Sequence, residues 1–456
     1  MHGKEKQMSD LMARAETLLS EWKGSSYVHG LGVLPRLGGM ARAYGSKAVV
    51  VVSFRHETLR REVHTCLEDA GVSVVEAPGA RPNAPREDVY RLATYLLQYK
   101  PDVVVAVGGG STIDACKAAN VLFSLGAAVT PEIDHYFGSG IVTQDHKESG
   151  AKLLPLIAVE TSASSGSHLT KYANVTDPVS GQKKLIVDNA ITPSSCLFDY
   201  ALSASMPRSV TIDGILDALS HTYESFCGAK EGTYDLLEAI TTTAIGLCLE
   251  YGPRLMENLD DLKARKAIGL ATDLGGYAIM VGGTSGGHLT SFSLVKLVGH
   301  GTACGIMNPY YTIYYSASIQ KQLHPLLKVY AEYGYASQED VCKEGRDLAL
   351  AASKAMIAFA RKLGAPTTLG ELKGFSHRFV DQALQAAKDS QLAMKLQNMP
   401  VPMQSSEVDT YMAPILEAAV SGDFSLIKEK GRTLFPYSET RRALRVVSSC
   451  FSGNLP

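Results

Sequence analysis

Four side chains beyond residue 200 are of the kind that binds a metal ion. In DGILDALSHTYESF, Asp217 and His221 stand at i and i+4, so a helix would send both from one face. In GGHLTSFSLVKLVGHG, His288 and His300 stand twelve residues apart, and Gly299 and Gly301 flank the second of them. One carboxylate and three imidazoles suit Fe2+ or Zn2+, and the absence of clustered thiolates argues against a structural zinc. Each piece also has a plainer reading. A D-x-x-x-H pair is often a helix ion pair, and isolated histidines in apolar stretches are often packed core residues. Asp213, two turns before His221, competes as a ligand but is expected to cap its helix instead.

A second kind of chemistry is suggested earlier in the chain. PDVVVAVGGGSTIDACKAAN runs from a strand through Gly108, Gly109, Gly110 and Ser111 into a helix, with Asp114 in its first turns. Glycines let a backbone approach a ligand closely, and a helix N-terminus offers unpaired N–H groups to a phosphate. The spacing is neither a Walker A loop nor the G-x-G-x-x-G fingerprint, and a tight turn is the competing reading. VETSASSGSHLT follows the next strand and sets Thr161, Ser162, Ser164, Ser165 and Ser167 around Gly166. It reads alone as a serine-rich loop, but two such loops at successive strand ends favour a nucleotide.

These residues must be positioned by two differently built halves. KAVVVVS, VSVVEA, DVVVAVG, LLPLIAVET and SCLFDYAL are β-rich runs separated by amphipathic helical patterns such as ETLRREVHTCLEDAG and EDVYRLATYLLQY. Strands that are apolar throughout point to a parallel sheet covered on both faces. Beyond about residue 203 helical patterns dominate, as in YDLLEAITTTAIGLCLEY and LALAASKAMIAFARKLG. The expected architecture is an α/β dinucleotide-binding domain over 1–202, carrying an extra N-terminal helix, followed by an all-helical metal-binding and substrate domain over 203–456.

Bulk properties fit an enzyme of this plan. A chain of 456 residues, 45% hydrophobic and 20% charged, exceeds one ordinary core. A net charge of −2 leaves no footprint for nucleic acid or an anionic membrane. No apolar run approaches the roughly 18 residues of a membrane span. MHGKEKQMSD lacks a signal-peptide core, and the eight cysteines form no CxxC, so free thiols in a cytoplasmic protein are expected.

Taken in order, the motifs resemble those of the iron-containing (group III) alcohol dehydrogenase family. The resemblance covers about residues 25–400. It includes YVHGLGVLPRLGGMARAYGSKAVVVV, RPNAPREDV, GGGSTID, TSASSGSHLT, DALSH, the later His…GHG and APTTLGEL. It implies the dehydroquinate synthase-like fold of that family, with the active site in the cleft between the domains. By carry-over, Asp217, His221, His288 and His300 hold one divalent metal, Fe2+ or Zn2+. Gly109, Gly110, Ser111 and Asp114 lie at the pyrophosphate of NADP(H) or NAD(H), Thr161, Ser162 and Ser165 contact the cofactor, and Lys183 or Lys184 reaches its ribose. The implied reaction is reversible hydride transfer between a small-molecule alcohol and an aldehyde or ketone, with the metal as Lewis acid. No catalytic group beyond the metal ligands is assigned. A homodimer or larger homo-oligomer is implied as well.

The chain departs from the family pattern in four places. Where NAD-preferring members end the first strand with an acidic residue, this sequence has Ser53, with Arg55 two residues on. That exchange favours NADP(H), since a 2′-phosphate meets no carboxylate and an arginine can pair with it. Phe292 replaces an additional active-site histidine, which alters the substrate pocket and removes a proton relay. The interval between His288 and His300 is shorter than usual, and MNPYYT stands where many members carry a further histidine. The N-terminal helix and YMAPILEAAVSGDFSLIKEK are additions that could serve as lid or oligomer elements. Two other readings compete. One is a dehydroquinate synthase-like lyase reaction, which would need basic residues clustered near DALSH. The other is a non-catalytic homologue, which would have no use for an open donor set.

Overall fold

The computed structural model describes residues 2–430, apart from 54, 55, 178, 180, 182, 390 and 391. The β-rich runs of the first half form a six-stranded parallel sheet. Its strands are β1 (Tyr27–Gly30), β2 (Lys47–Val52), β3 (Ser73–Pro78), β4 (Val103–Gly108), β6 (Leu156–Glu160) and β9 (Ser195–Asp199), in the order β1-β9-β6-β4-β2-β3. In β2 and β4, residues 48–52 and 103–107 are all buried, because helices cover both faces; this is why their sequences do not alternate. The chain runs outward from β2 to β3, then crosses back to β4 on the other side of β2. The carboxyl ends of β2 and β4, at Ser53 and Gly108, therefore flank the crevice where strand order reverses, the usual ligand position in such sheets.

One element escaped the sequence reading. A small sheet of β5 (Gly138–Ser139), β7 (Tyr172–Thr176) and β8 (Lys183–Val187) pairs in the order β5-β8-β7. β7 and β8 form an antiparallel hairpin that matches Thr176 with Lys183 and Tyr172 with Val187. Its turn lies in DPVSGQ, whose Pro and Gly are the signal that could have announced it.

From Arg208 onward the described chain is helical. Helix Arg208–Cys227 is buried along nearly its whole length, so its apolar residues are not confined to one stripe and polar ones such as Asp217, His221 and Glu224 are buried among them. Helices Tyr234–Glu257, Leu262–Val281 and His300–Tyr315 pack round it. The N-terminal helix His2–Lys23 was expected with the sheet, yet it packs on Tyr234–Glu257 and Leu262–Val281. Met12, Ala15 and Leu19 enter the helical core, and Trp22 stacks on Tyr277 with ring centroids 4.3 Å apart. Helix Ala413–Ser421, also expected as an optional addition, buries Ile415, Leu416, Ala418 and Ala419. Both segments thus contribute buried side chains to the helical core. Among the described residues no helix is long and apolar enough to cross a membrane.

Candidate metal and cofactor site

Asp217 lies midway along the central helix, with His221 one turn further. His288 comes from the short helix Gly286–Ser291, and His300 is the first residue of helix His300–Tyr315. The Nε2 atoms of His221, His288 and His300 lie 3.7, 3.7 and 4.0 Å from Asp217 Oδ1. These separations are too long for hydrogen bonds. Asp217 Oδ1 and His288 Nε2 are buried and have no hydrogen-bond partner. Donors that each sit about 2.0–2.2 Å from one ion are roughly 3–4 Å from each other, so this donor set fits a divalent metal. Burial pushes the Asp217 carboxyl upward, but His221, His288 and His300 together hold it below the ordinary carboxylate range. Burial brings His221 down to about 4, against the pull of Asp217, so its imidazole is neutral, as a ligand must be.

The sequence reading set thiolates aside, yet a cysteine thiol adjoins these donors. Among the described residues, the donor atoms of Asp217, His288, His300 and Cys304 all lie within 4.8 Å of one another. Cys304 is four residues beyond His300 on the same helix, the i, i+4 relation already used for Asp217 and His221. His221 is outside that group of four and joins it through Asp217, its ring stacked on that of His288 with centroids 4.7 Å apart.

Other residues hold these donors in place. Glu224 accepts from His288 Nδ1 at 2.8 Å and from the Ser285 backbone N–H at 2.6 Å, a carboxylate–histidine pair of the kind that orients metal ligands. Ser164 Oγ donates to Asp217 Oδ2 at 3.2 Å, and Ser291 Oγ lies 3.0 Å from His300 Nδ1. Asp213 was expected to cap its own helix, which in fact begins further back, at Arg208. Its Oδ1 instead accepts from the Thr302 backbone N–H at 2.8 Å and from Thr302 Oγ1 at 2.9 Å. It thereby caps the helix that His300 opens. A Cβ at Gly299 would come within 2.1 Å of Asp213 Oδ1, and one at Gly301 within 2.0 Å of Asp213 O. The two glycines permit the close crossing that brings His300 to Asp217.

The two loops of the sheet half meet each other at its carboxyl edge. Gly109 caps helix Gly110–Leu125, and a Cβ at Gly109 or Gly110 would come within 2.5 Å of Ser162 Oγ or 2.4 Å of Ser165 Oγ. This bare helix start beside small hydroxyls is a cradle for a phosphate. Ser111 Oγ accepts from the Asn83 backbone N–H at 3.0 Å. Asp114 is turned inward: Ser167 Oγ donates to one oxygen, and Asn174 donates to the other through its backbone N–H at 2.9 Å and Nδ2 at 3.1 Å. It ties the glycine helix to the serine loop and the hairpin. Glu160 Oε1 accepts from the backbone N–H groups of Thr161 and Ser162 and from Ser162 Oγ, shaping the second loop. Through Oε2 the same carboxylate faces His168, which faces Asp273 of the helical half at 3.1 Å.

The hairpin separates the two candidate lysines. Lys184 pairs with Asp134 at 3.3 Å, whereas Lys183 is buried. Burial lowers the Lys183 ammonium, opposed by Asp114 and Asp217. Ser53 ends β2 at the crevice; Arg55 lies outside the described residues. Phe292 is buried with its ring nearly parallel to that of His300, centroids 6.0 Å apart.

A glycine loop at the switch point of a parallel sheet, tied through Ser164 to a carboxylate–imidazole cluster in a helical half, is an arrangement suited to a phosphate-bearing ligand beside a divalent metal. Residues 24–200 match the family model for iron-containing alcohol dehydrogenase, and residues 211–413 match its C-terminal counterpart. The chain belongs to the iron-containing alcohol dehydrogenase family. It is 29% identical over 288 residues to the NAD-dependent methanol dehydrogenase of Bacillus methanolicus, spanning 62% of this chain and 72% of that one. It is 30% identical over 232 residues to the phosphonoacetaldehyde reductase of Streptomyces viridochromogenes, spanning 49% and 56%. Among solved structures, an archaeal alcohol dehydrogenase from a Red Sea brine pool superposes with a TM-score of 0.75 at 22% identity, over 86% of this chain and 96% of that one. These matches do not favour the lyase reading.

Proposed function

We propose that this chain interconverts an alcohol and an aldehyde by hydride transfer with NADP(H), using a divalent metal held by Asp217, His221, His288 and His300 with the Cys304 thiol at its flank. The observation that carries this is the pair of partnerless buried atoms, Asp217 Oδ1 and His288 Nε2, turned toward each other and toward His300. The metal supplies a Lewis acid for the substrate oxygen. Ser164, Glu224 and Ser291 fix the donors against rotation, so the site needs little reorganisation as charge develops on that oxygen. Gly109, Gly110, Ser111, Thr161, Ser162 and Ser165 form the phosphate side of the cofactor groove, with Lys183 across it. Asp114 acts by positioning these loops. Phe292 carries no proton and keeps water from the His300 side, so the proton exchanges through another group or solvent.

The named activities of the relatives support the alcohol–aldehyde part of the reading, since methanol oxidation and phosphonoacetaldehyde reduction run one hydride transfer in opposite directions; they do not bear out NADP(H), the methanol dehydrogenase being named as NAD-dependent. The NADP(H) preference rests on Ser53, which puts no carboxylate at the end of β2 to repel a 2′-phosphate. The division into a cofactor half over 1–202, apart from helix His2–Lys23 that packs on the other half, and a metal and substrate half over 203–456 belongs to the same reading, as does assembly as a homo-oligomer. Oxidation of NADPH and NADH with a panel of aldehydes, before and after exhaustive chelation, tests it. Turnover that survives complete metal removal would refute the Lewis-acid role.

A further inference from the structure

Beside the donor cluster stands a cation that hydride transfer does not require. Lys395, in helix Ala393–Gln397, is 4% exposed, and its Nζ donates to the Thr284 hydroxyl. Nζ lies 5.8 Å from the Phe292 ring centroid and 5.9 Å from that of Tyr172. Among the described residues no carboxylate comes within 4.0 Å of it. Glu224 acts on it from further away and is already engaged by His288 and Ser285. An ammonium has three N–H donors; the hydroxyl takes one, and ring faces offer charge compensation but no acceptor. A buried charge left in that condition calls for an anion.

The surroundings carry the same sign. Phe292 and Ser293 also wall a cleft of about 580 Å3, which Lys296 and Arg378 line without an acidic partner among the described residues. Lys388, on the same cleft, pairs with Asp409 at 2.8 Å, and Asp389 is the one acid on its described wall. The neutral ring at Phe292 thus separates the His300 imidazole from a strip of cations.

We propose that the substrate is a short aldehyde or alcohol bearing an anionic group, a carboxylate, sulfonate or phosphonate, and that Lys395 binds this group. This rests on the alcohol–aldehyde reading above and adds its substrate class. Lys395 contacts the far end of the substrate and takes no part in bond making.

The test compares 4-oxobutanoate with pentanal as substrates for the metal-loaded protein, and butyrate as an inhibitor of pentanal reduction. The wild type should favour 4-oxobutanoate in kcat/KM by about 10- to 100-fold, the range of one charge-assisted hydrogen bond, and butyrate should compete with pentanal. K395M should abolish that preference through KM and weaken butyrate by a similar factor. Pentanal turnover and the fluorescence titration of the reduced cofactor should stay unchanged, and K395R should restore part of the preference. A wild type that favours pentanal and ignores butyrate overturns the assignment, even if K395M fails to fold. So does a K395M protein that loses both aldehydes equally. If neither aldehyde oxidises NADPH or NADH, the alcohol–aldehyde reading itself has failed, and this assignment falls with it.

Discussion

Substituting Gly301 by alanine tests how closely the two ligand-bearing helices must cross. The added Cβ would lie 2.0 Å from Asp213 O, 2.6 Å from Asp217 Cβ and 2.7 Å from Asp217 N. Comfortable packing needs roughly 3.5 Å, and these neighbours are mostly helix backbone, which cannot rotate aside. Helix His300–Tyr315 must therefore withdraw by roughly 1 Å, at the cost of about 1–3 kcal/mol typical of overpacking. His300 adjoins the new methyl group, and its Nε2 is 4.0 Å from Asp217 Oδ1. Metal–ligand distances tolerate only about 0.2 Å, so a shift of this size removes His300 from the donor set. We expect metal affinity to fall by roughly 100-fold or more, and the melting temperature by a few degrees. Competition with a chelator, elemental analysis after dialysis and calorimetry would measure both. Gly232→Ala is the control, since a Cβ there meets nothing within 4 Å. If Gly301→Ala keeps one tightly held metal and the wild-type melting temperature, the helix crossing does not set the geometry of the site.

Four further outcomes are expected. Glu224→Gln should weaken metal binding by about 10- to 100-fold in chelator competition, because His288 loses the carboxylate that orients it; unchanged affinity would remove Glu224 from that role. A Co2+-loaded protein should show a thiolate-to-metal absorption band that Cys304→Ser lacks, and a wild type without the band would place the sulfur outside the donor set. Ser53→Asp should lower kcat/KM for NADPH by about 10- to 100-fold while sparing NADH, and an unchanged ratio would refute the NADP(H) preference. Burial, opposed by Glu224 and Cys304, brings Lys395 down to about 8. Inhibition by butyrate should therefore be strong below that value and fade as pH rises through it, whereas inhibition that is flat from pH 6 to 10 would detach the anion from Lys395. His221 and the Tyr172 ring also face this lysine, and neither gains charge over that range.

The parallel sheet was legible because burial on both faces leaves a mark that no other strand environment leaves: four consecutive valines in β2, three in β4. The helical half was legible for a similar reason, as long runs without turn residues. The β7–β8 hairpin was not. YANVT and KKLIV are short, and one carries two lysines, so neither reads as a strand without the turn signal between them. The N-terminal helix was seen as a helix but assigned to the wrong neighbours. Amphipathicity says that a face is buried and not against what, and here the partners are helices more than 200 residues away in sequence.

The site shows the same limit more sharply. Asp217, His221, His288 and His300 were picked out because their residue types announce a chemistry. Glu224, Ser164, Ser291 and Cys304 belong to common types and acquire a role only from what converges on them. For Cys304 a signal was available: it stands at i+4 from His300, just as His221 stands at i+4 from Asp217, so helix geometry places a sulfur beside any ion that His300 binds. The same argument bears on Phe292. Its ring lies 6.0 Å from that of His300 and 5.8 Å from Lys395 Nζ, so it adjoins both the donor cluster and the buried ammonium. On the proposal above, a pocket with no titratable ring at position 292 and a buried lysine 5.8 Å from that ring would meet the anionic end of the substrate through Lys395.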